Sequence, residues 1–394
     1  MFMPLVLAVI LVLSPTAFAA DAQDLLRQAQ QLRDNDKSAA AAVKQHDAVD
    51  LLRQGGDWQA WRDAHIDLVY DLYLLKDNSD ALTEAAALLK EARRRQDVWA
   101  QSVVLRYQGA IHQGVNAFTD AETAYQGALD AARTGRFRAL EGRALISRGD
   151  LRRRQGRADD GRKDLDRALA LFDAEGLPRE AADARFRIGS LELERNRPHV
   201  AEPILRQVLQ AGPVADRLTL AHAHRYLGGI DRDRGDRVAA REHFEAAATT
   251  YRSLDSPLGQ ANVADDLGRL ELAAGNAAAA KRWFGDAEIL YRRAGDTVWE
   301  AEAKAKREEA ERAQAAGKAV VVAPVPAVAP PPPVPPVVQP PERSLEPAEK
   351  PSLSDRLVDA LIEELPKIII GVVVSLLSLL GIWLYSRLKK VVSD

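Results

Sequence analysis

The chain has 394 residues, a formal net charge of −3, 28% charged and 47% hydrophobic residues, and no cysteine. Length alone leaves room for two domains of roughly 150 residues each. The missing cysteine excludes a disulfide framework, thiolate-held zinc or iron–sulfur centres, a thiol nucleophile and covalently attached c-type haem, and the near-balanced charge argues against broad nucleic-acid binding, which needs a Lys/Arg excess.

At the N-terminus, an unbroken apolar run from Leu5 to Leu13 is followed by Ser14-Pro15 and the small-x-small pattern Ala17-Phe18-Ala19. This reads as a signal peptide over residues 1–20, cleaved after Ala19 or Ala20, although its first residues carry no Lys or Arg. An uncleaved anchor is the alternative, but nine apolar residues are short for a bilayer about 30 Å thick. Residues 21–56 read as a helical pair ending at Gly55-Gly56.

The next segment is periodic. Gly109, Gly149, Gly189, Gly228 and Gly268 follow one another at intervals of 40, 40, 39 and 40, each inside an apolar-periodic stretch. A glycine there costs roughly 1 kcal/mol relative to alanine, so it needs a packing reason. Twelve residues after each stands a small residue (Ala121, Gly161, Ala201, Ala240, Ala280), and four further on a bulky one (Tyr125, Leu165, Leu205, Phe244, Phe284). Three beyond those lie Ala128, Ala168, Val208, Ala247 and Ala287, and seven after each glycine a Gly or Asn: Asn116, Gly156, Asn196, Gly235, Gly275. The spacing predicts helical hairpins. Small residues let two helices approach, the bulky residue fills the gap, and the Gly or Asn ends the first helix in a left-handed conformation. One hairpin cannot bury its own apolar face, whereas stacked copies can.

Leu227-Gly228 with Ala240, Phe244 and Ala247, and Leu267-Gly268 with Ala280, Phe284 and Ala287, resemble the tetratricopeptide repeat family. The period exceeds the family's usual 34 by six, which calls for longer helices or longer loops, and Gly161 and Val208 replace the expected alanines. The resemblance implies an all-α, right-handed α-solenoid of tetratricopeptide-like hairpins over 57–296, with a degenerate repeat at 59–95 carrying Ala81. Residues 297–317, rich in Ala, Glu, Lys and Arg, read as a solvated capping helix.

Twelve of the 20 prolines lie between Pro324 and Pro351. Residues 318–352 therefore read as a polyproline II stalk, about 85 Å long over its 28 proline-rich residues at about 3.1 Å each; a PxxP ligand for an SH3-like partner is the alternative. Leu353, Leu357, Val358, Leu361 and Leu365 mark one face of an amphipathic juxtamembrane helix, 353–366, opposite Asp355, Asp359 and Glu363. That helix suits the bilayer surface, and its acidic side suits self-association or partner contact. Ile368 to Ser386 is uncharged, about 28 Å as a helix, so 367–386 reads as a transmembrane helix. Arg387, Lys389 and Lys390 then place the tail, 387–394, in the cytoplasm. Gly371, Ser375 and Ser378 form a small-residue face that allows a homodimer through the spanning helix. With 41 Arg against 13 Lys, the expected location is a bacterial inner membrane, bulk in the periplasm.

No sequence motif carries catalysis: Gly-x-Ser-x-Gly, P-loop, His-Glu-x-x-His and EF-hand patterns are all missing. His222, His224 and His243 are the one histidine cluster, but positions two apart on a helix point about 200° apart, so His222 and His224 cannot share one ion, and no metal or cofactor is expected. Arg93 to Arg95 and Arg152 to Arg154 alternate with acids and read as solvated helix faces. The family resemblance implies a groove lined by first helices, placing Arg143, Asp150, Arg153, Asp183, Ser190, Glu194, His222, Arg225, Arg232, Asp233, Asn262, Asp265 and Arg269 on it. A groove for a peptide and a plain solvent-facing row fit these residues equally. Ala110, Asp150, Ser190 and Gly229 stand where the family's carboxylate clamp has its Asn, which argues against that mode. The expected function is a non-enzymatic, membrane-anchored adaptor for envelope proteins. The alternative is a sensor ectodomain signalling through a partner membrane protein.

Overall fold

A computed structural model describes residues 15–35 and 37–316. These belong to one compact unit, Met1–Glu342; a second, Arg343–Asp394, lies outside the described residues. The expected stalk, juxtamembrane helix, spanning helix with Gly371, Ser375 and Ser378, and tail therefore all lie outside them, as do residues 1–14 of the expected signal peptide. Among the described residues no helix is long and apolar enough to cross a membrane.

Within that range the chain is all-helical, with fifteen α-helices. The first pair is α1 (Pro15–Asp34) and α2 (Ser38–Gly55); α1 runs without a break through Ala19 and Ala20. Hairpins follow as α3 (Trp58–Leu74) with α4 (Asn78–Arg94), α5 (Val98–Gly114) with α6 (Phe118–Thr134), and α7 (Arg138–Arg154) with α8 (Ala158–Ala174). Next come α9 (Pro178–Glu194) with α10 (Pro198–Gln210), α11 (Arg217–Arg234) with α12 (Arg237–Ser253), and α13 (Pro257–Ala273) with α14 (Ala277–Ala294). The helix α15 (Thr297–Ala315) closes the described stack.

The long period resolves into long helices, not long loops. From Trp58, which opens α3, to Thr297, which opens α15, every helix starts at the same interval after the last, except that α11 starts one position early. Apart from α10, the helices from α3 to α14 are 17 or 18 residues long, about 26 Å each at about 1.5 Å per residue. The exception, α10, stops after 13 residues and passes through a single 3-10 turn, Gly212–Val214.

Both ends of these helices are chemically specified. Asp57, Asp77, Asp97, Asp216, Asp236, Ser256 and Asp296 precede helices and accept a backbone N–H of the first turn, satisfying a donor the helix leaves orphaned. In the middle of the stack Pro178 and Pro198 take over, with φ preset for a first helical residue. At the other end, Asn116, Gly156, Asn196, Gly235 and Gly275 all have φ between 56° and 88°. The next residue's N–H then reaches back to close the helix, as Ala117 does to His112 O at 2.9 Å.

Successive helices pack along the chain, and the first helices of neighbouring hairpins also touch: α3 with α5, α5 with α7, α9 with α11, and α11 with α13. The core is accordingly a string of local clusters passed from hairpin to hairpin. Helices cross closely at the periodic glycines. A Cβ on Gly109 would stand 2.5 Å from the Tyr125 ring, on Gly189 2.8 Å from Leu205, on Gly228 2.7 Å from Phe244 and on Gly268 2.6 Å from Phe284. At Gly149 the neighbour is backbone, Gly161 O at 3.1 Å. Ala121, Ala201, Ala240 and Ala280 are fully buried beside them. A second close crossing escapes the period: Gly142 lies against Phe172 and Gly259 against Tyr251. In α3 the aligned position is Val69, and α3 and α4 pack less closely than the other hairpins.

Candidate interaction surface

First helices form one continuous row, and most of the residues expected on it are joined to one another across hairpins. Arg143 on α7 donates to Glu180 on α9 at 2.8 Å, and Arg153 to Glu194 at 2.7 Å. Asp150 on α7 accepts from Arg187 on α9, which also holds Asp183 within its own helix at 3.0 Å. One hairpin pair along, Arg225 and Arg232 on α11 both reach Asp266 on α13, at 2.6 and 3.3 Å. Arg232 also grips Asp233, whose side chain is largely exposed. Asp265 binds Arg269 and Lys306 of α15, each at 2.8 Å. Partners in most of these pairs are separated by 37 or 41 positions, close to one period, so one helix of the stack neutralises the next.

The three remaining expected residues bind tyrosines. The Tyr251 hydroxyl is 2.7 Å from His222 Nδ1, and the Tyr291 hydroxyl donates to Asn262 Oδ1 at 2.8 Å. His222 stacks on Phe186, and burial, helped by Arg225 and Arg187, pushes its pKa down to about 3; it is a neutral core residue. Ser190 is bonded to Tyr226. The row is thus an inter-repeat seam as well as a face, and the arginines on it act first as glue.

A second ladder joins α6, α8, α12 and α14 each to the following helix, with partners separated by 30 positions. Its pairs are Glu122 with Arg152, Arg162 with Glu192 and Lys281 with Glu311, at 2.8, 2.6 and 2.6 Å, and Arg241 with Glu271. The two arginine runs differ: Arg93 to Arg95 are exposed on one helix, whereas Arg152 to Arg154 are half-buried against neighbouring helices. Arg94 and Arg95 hold Glu91, Arg152 bridges Glu122 and Asp164, and Arg154 lies over the Phe118 ring.

Arg106 on α5 is different, and sequence reasoning did not single it out. Its side chain is on the first-helix row beside Arg143, only 8% exposed, and it has no carboxylate partner among the described residues. Burial, with Arg143 adjacent, lowers its proton affinity. Around it a small cleft of about 30 Å³ is lined by Arg143, Ile146, Ser147, Phe172, Glu180 and Asp183. Tyr70, Tyr107 and Tyr125 stand close enough for its charge to pull their hydroxyl proton affinity down against the larger upward push of burial. Its partner is the Tyr107 side chain, to which it is hydrogen-bonded and over whose ring it lies, while Nε is left unbonded; a buried guanidinium without an anion keeps a desolvation cost that an acidic ligand would offset. Elsewhere, an open cleft of about 670 Å³ lies between α12, α13 and α14, lined by Val263, Leu267, Trp283, Leu290 and the exposed Ile289. Among the described residues no group of three or more His, Asp or Glu side chains is disposed around one ion.

No protein-family model matches the chain, and no curated protein matches it in sequence. In structure it is similar to the apo form of the quorum sensor NprR from B. thuringiensis, 11% identical over 76% of this chain and 97% of that one, with a TM-score of 0.50. It is also similar to a tetratricopeptide repeat protein from Parabacteroides merdae (15% identity, 72% and 99% covered, TM-score 0.48) and to PilF of Pseudomonas aeruginosa (16%, 62% and 97%, 0.46). At such identities the likeness is one of fold, that of an all-helical solenoid of tetratricopeptide-like hairpins.

Proposed function

We propose that the chain is a membrane-anchored, extracytoplasmic scaffold that binds other proteins through its row of first helices, without catalysis of its own. The observation that carries this reading is Arg106: a buried guanidinium on that row, next to a second arginine, at a small cleft that would have to widen to admit an acidic side chain of a partner. Anchoring rests on the sequence alone, on the uncharged stretch Ile368 to Ser386 and its basic flank. The sequence of residues 1–20 and the Arg-rich composition support the periplasmic face of a bacterial inner membrane.

Because Arg225 and Arg232 hold α11 to α13, and Arg269 holds the Asp265 that binds Lys306 of α15, changing them would weaken the stack and binding alike. Arg106 separates the two. Proximity labelling from the ectodomain, comparing the unaltered chain with Arg106→Gln, should recover a set of envelope proteins that is lost in the variant while its circular dichroism is unchanged. Identical recovery by both would refute Arg106 as the point of attachment, and recovery of cytoplasmic proteins alone would refute the topology.

A further inference from the structure

The histidine cluster separates in the folded chain: His222 turns into the core, and His224 turns towards His243 of the next helix. His224 Nδ1 and His243 Nδ1 are 2.9 Å apart across the α11–α12 hairpin, with ring centroids at 5.2 Å. The opposite nitrogen of His243, Nε2, faces Asp231 Oδ2 at 3.7 Å. Asp231 is only 4% exposed, and this carboxylate oxygen is buried without a hydrogen-bond partner. Such a carboxylate favours the proton on Nε2 and leaves the Nδ1 lone pair directed at His224, the arrangement in which a carboxylate orients a metal-ligating imidazole. Both rings are half-buried, and burial lowers the proton affinity of each. The facing charged groups are Glu202 and Arg206 on α10, Asp231 and Arg234 on α11, and Glu242 on α12.

We infer that His224 and His243 form a two-imidazole chelate for a divalent transition-metal ion, positioned by Asp231 and completed by water. The separation suits a cis chelate. With metal–nitrogen bonds of about 2.0–2.1 Å, nitrogens 2.9 Å apart subtend about 90°, the cis angle of tetragonal copper(II) or nickel(II); a tetrahedral ion needs them about 3.3–3.4 Å apart. Proton balance is simple. In the metal-free chain one Nδ1–H is shared between the rings. On binding, the His224 proton moves to its own Nε2, so a neutral pair takes up the ion without net proton release.

The test is calorimetric titration of copper(II), and separately nickel(II), into the untagged full-length chain stripped with a chelator, with electron paramagnetic resonance of the copper form. The expected result is one equivalent bound with two imidazole nitrogens coupled to copper, weakened at least tenfold in His243→Ala and about 10–100-fold in Asp231→Asn. Unchanged affinity in His243→Ala, or a copper signal with fewer than two such nitrogens, would overturn the assignment. Should Asp231→Asn unfold by circular dichroism, the half-exposed His224→Ala decides, since it must lose the same equivalent.

Discussion

Two glycine-to-alanine substitutions in this stack should move stability in opposite directions. Alanine gains up to about 1 kcal/mol over glycine in a helix, and its effect on the unfolded chain is the same wherever it is placed. The difference between two such variants therefore reports the folded state alone. At Gly285, in α14, a Cβ would meet only Arg307 Cδ at 3.5 Å, an ordinary contact. At Gly161, in α8, it would lie 2.7 Å from Gly149 O, well inside the 3.4 Å where ordinary contact begins. That neighbour is helix backbone and moves only if α7 and α8 separate. Overpacking of this kind costs about 1–3 kcal/mol, so Gly161→Ala should lose up to about 2 kcal/mol net while Gly285→Ala gains up to about 1. Urea unfolding followed by far-ultraviolet circular dichroism measures both. A Gly161→Ala protein as stable as Gly285→Ala would refute the claim that backbone contact, rather than side-chain filling, sets this crossing.

Removing Asp266 strands the largely buried Arg225 and leaves Arg232 with Asp233 alone, so Asp266→Ala should cost about 3–5 kcal/mol; restoration by a second change, Arg225→Met, would identify uncompensated charge as the cause. Burial pushes the Asp71 carboxyl up to about 6 although Arg33 pulls it down. The folded chain therefore holds that proton more tightly than the unfolded one, and the contribution of Asp71 to stability is present below about pH 4 and lost as pH rises towards 6. Carbon-detected titration should find the midpoint near 6, and a midpoint at the ordinary value of 3.8 would contradict it. Gln96 ends α4 with φ 59°, a conformation costing a side chain about 1–2 kcal/mol. Gln96→Gly should raise the unfolding midpoint, with no change in helix content.

The hairpin stack was readable in the sequence because glycine, alanine and aromatic residues recur at fixed distances, and each has a steric meaning where two helices cross. Helix ends were half readable. First helices from α5 on stop at Gly or Asn, which advertise a left-handed residue, but α3 stops in the same conformation at Lys76, and several second helices at Gln96, Arg136 and Asp255, which do not. The surface row was harder. Arg225 and Asp266, or Arg143 and Glu180, look like separate groove residues when each helix is taken alone. Their partnership emerges only when one hairpin copy is laid against the next, so that acids fall opposite bases on the adjoining copy. Arg106 gives no local signal at all, since what distinguishes it is the carboxylate it lacks.

The even spacing of helix starts has a consequence for how this chain can change over evolutionary time. Helices that begin at a constant interval, each closed by its own cap and joined by turns of similar build, make a two-helix block a unit of insertion or loss. Excising one block rejoins a second helix to an equivalent first helix with the glycine crossing intact but not always the charges: without α7 and α8, Glu122 would face Glu192 in place of Arg152. Only the shortened step at Gly212–Val214 is out of phase. Blocks copied across that step would keep their register, because Gly228 stands as far into α11 as Gly189 does into α9. Growth by duplication is therefore limited by which charges meet at the new joint, not by the spacing of the helices.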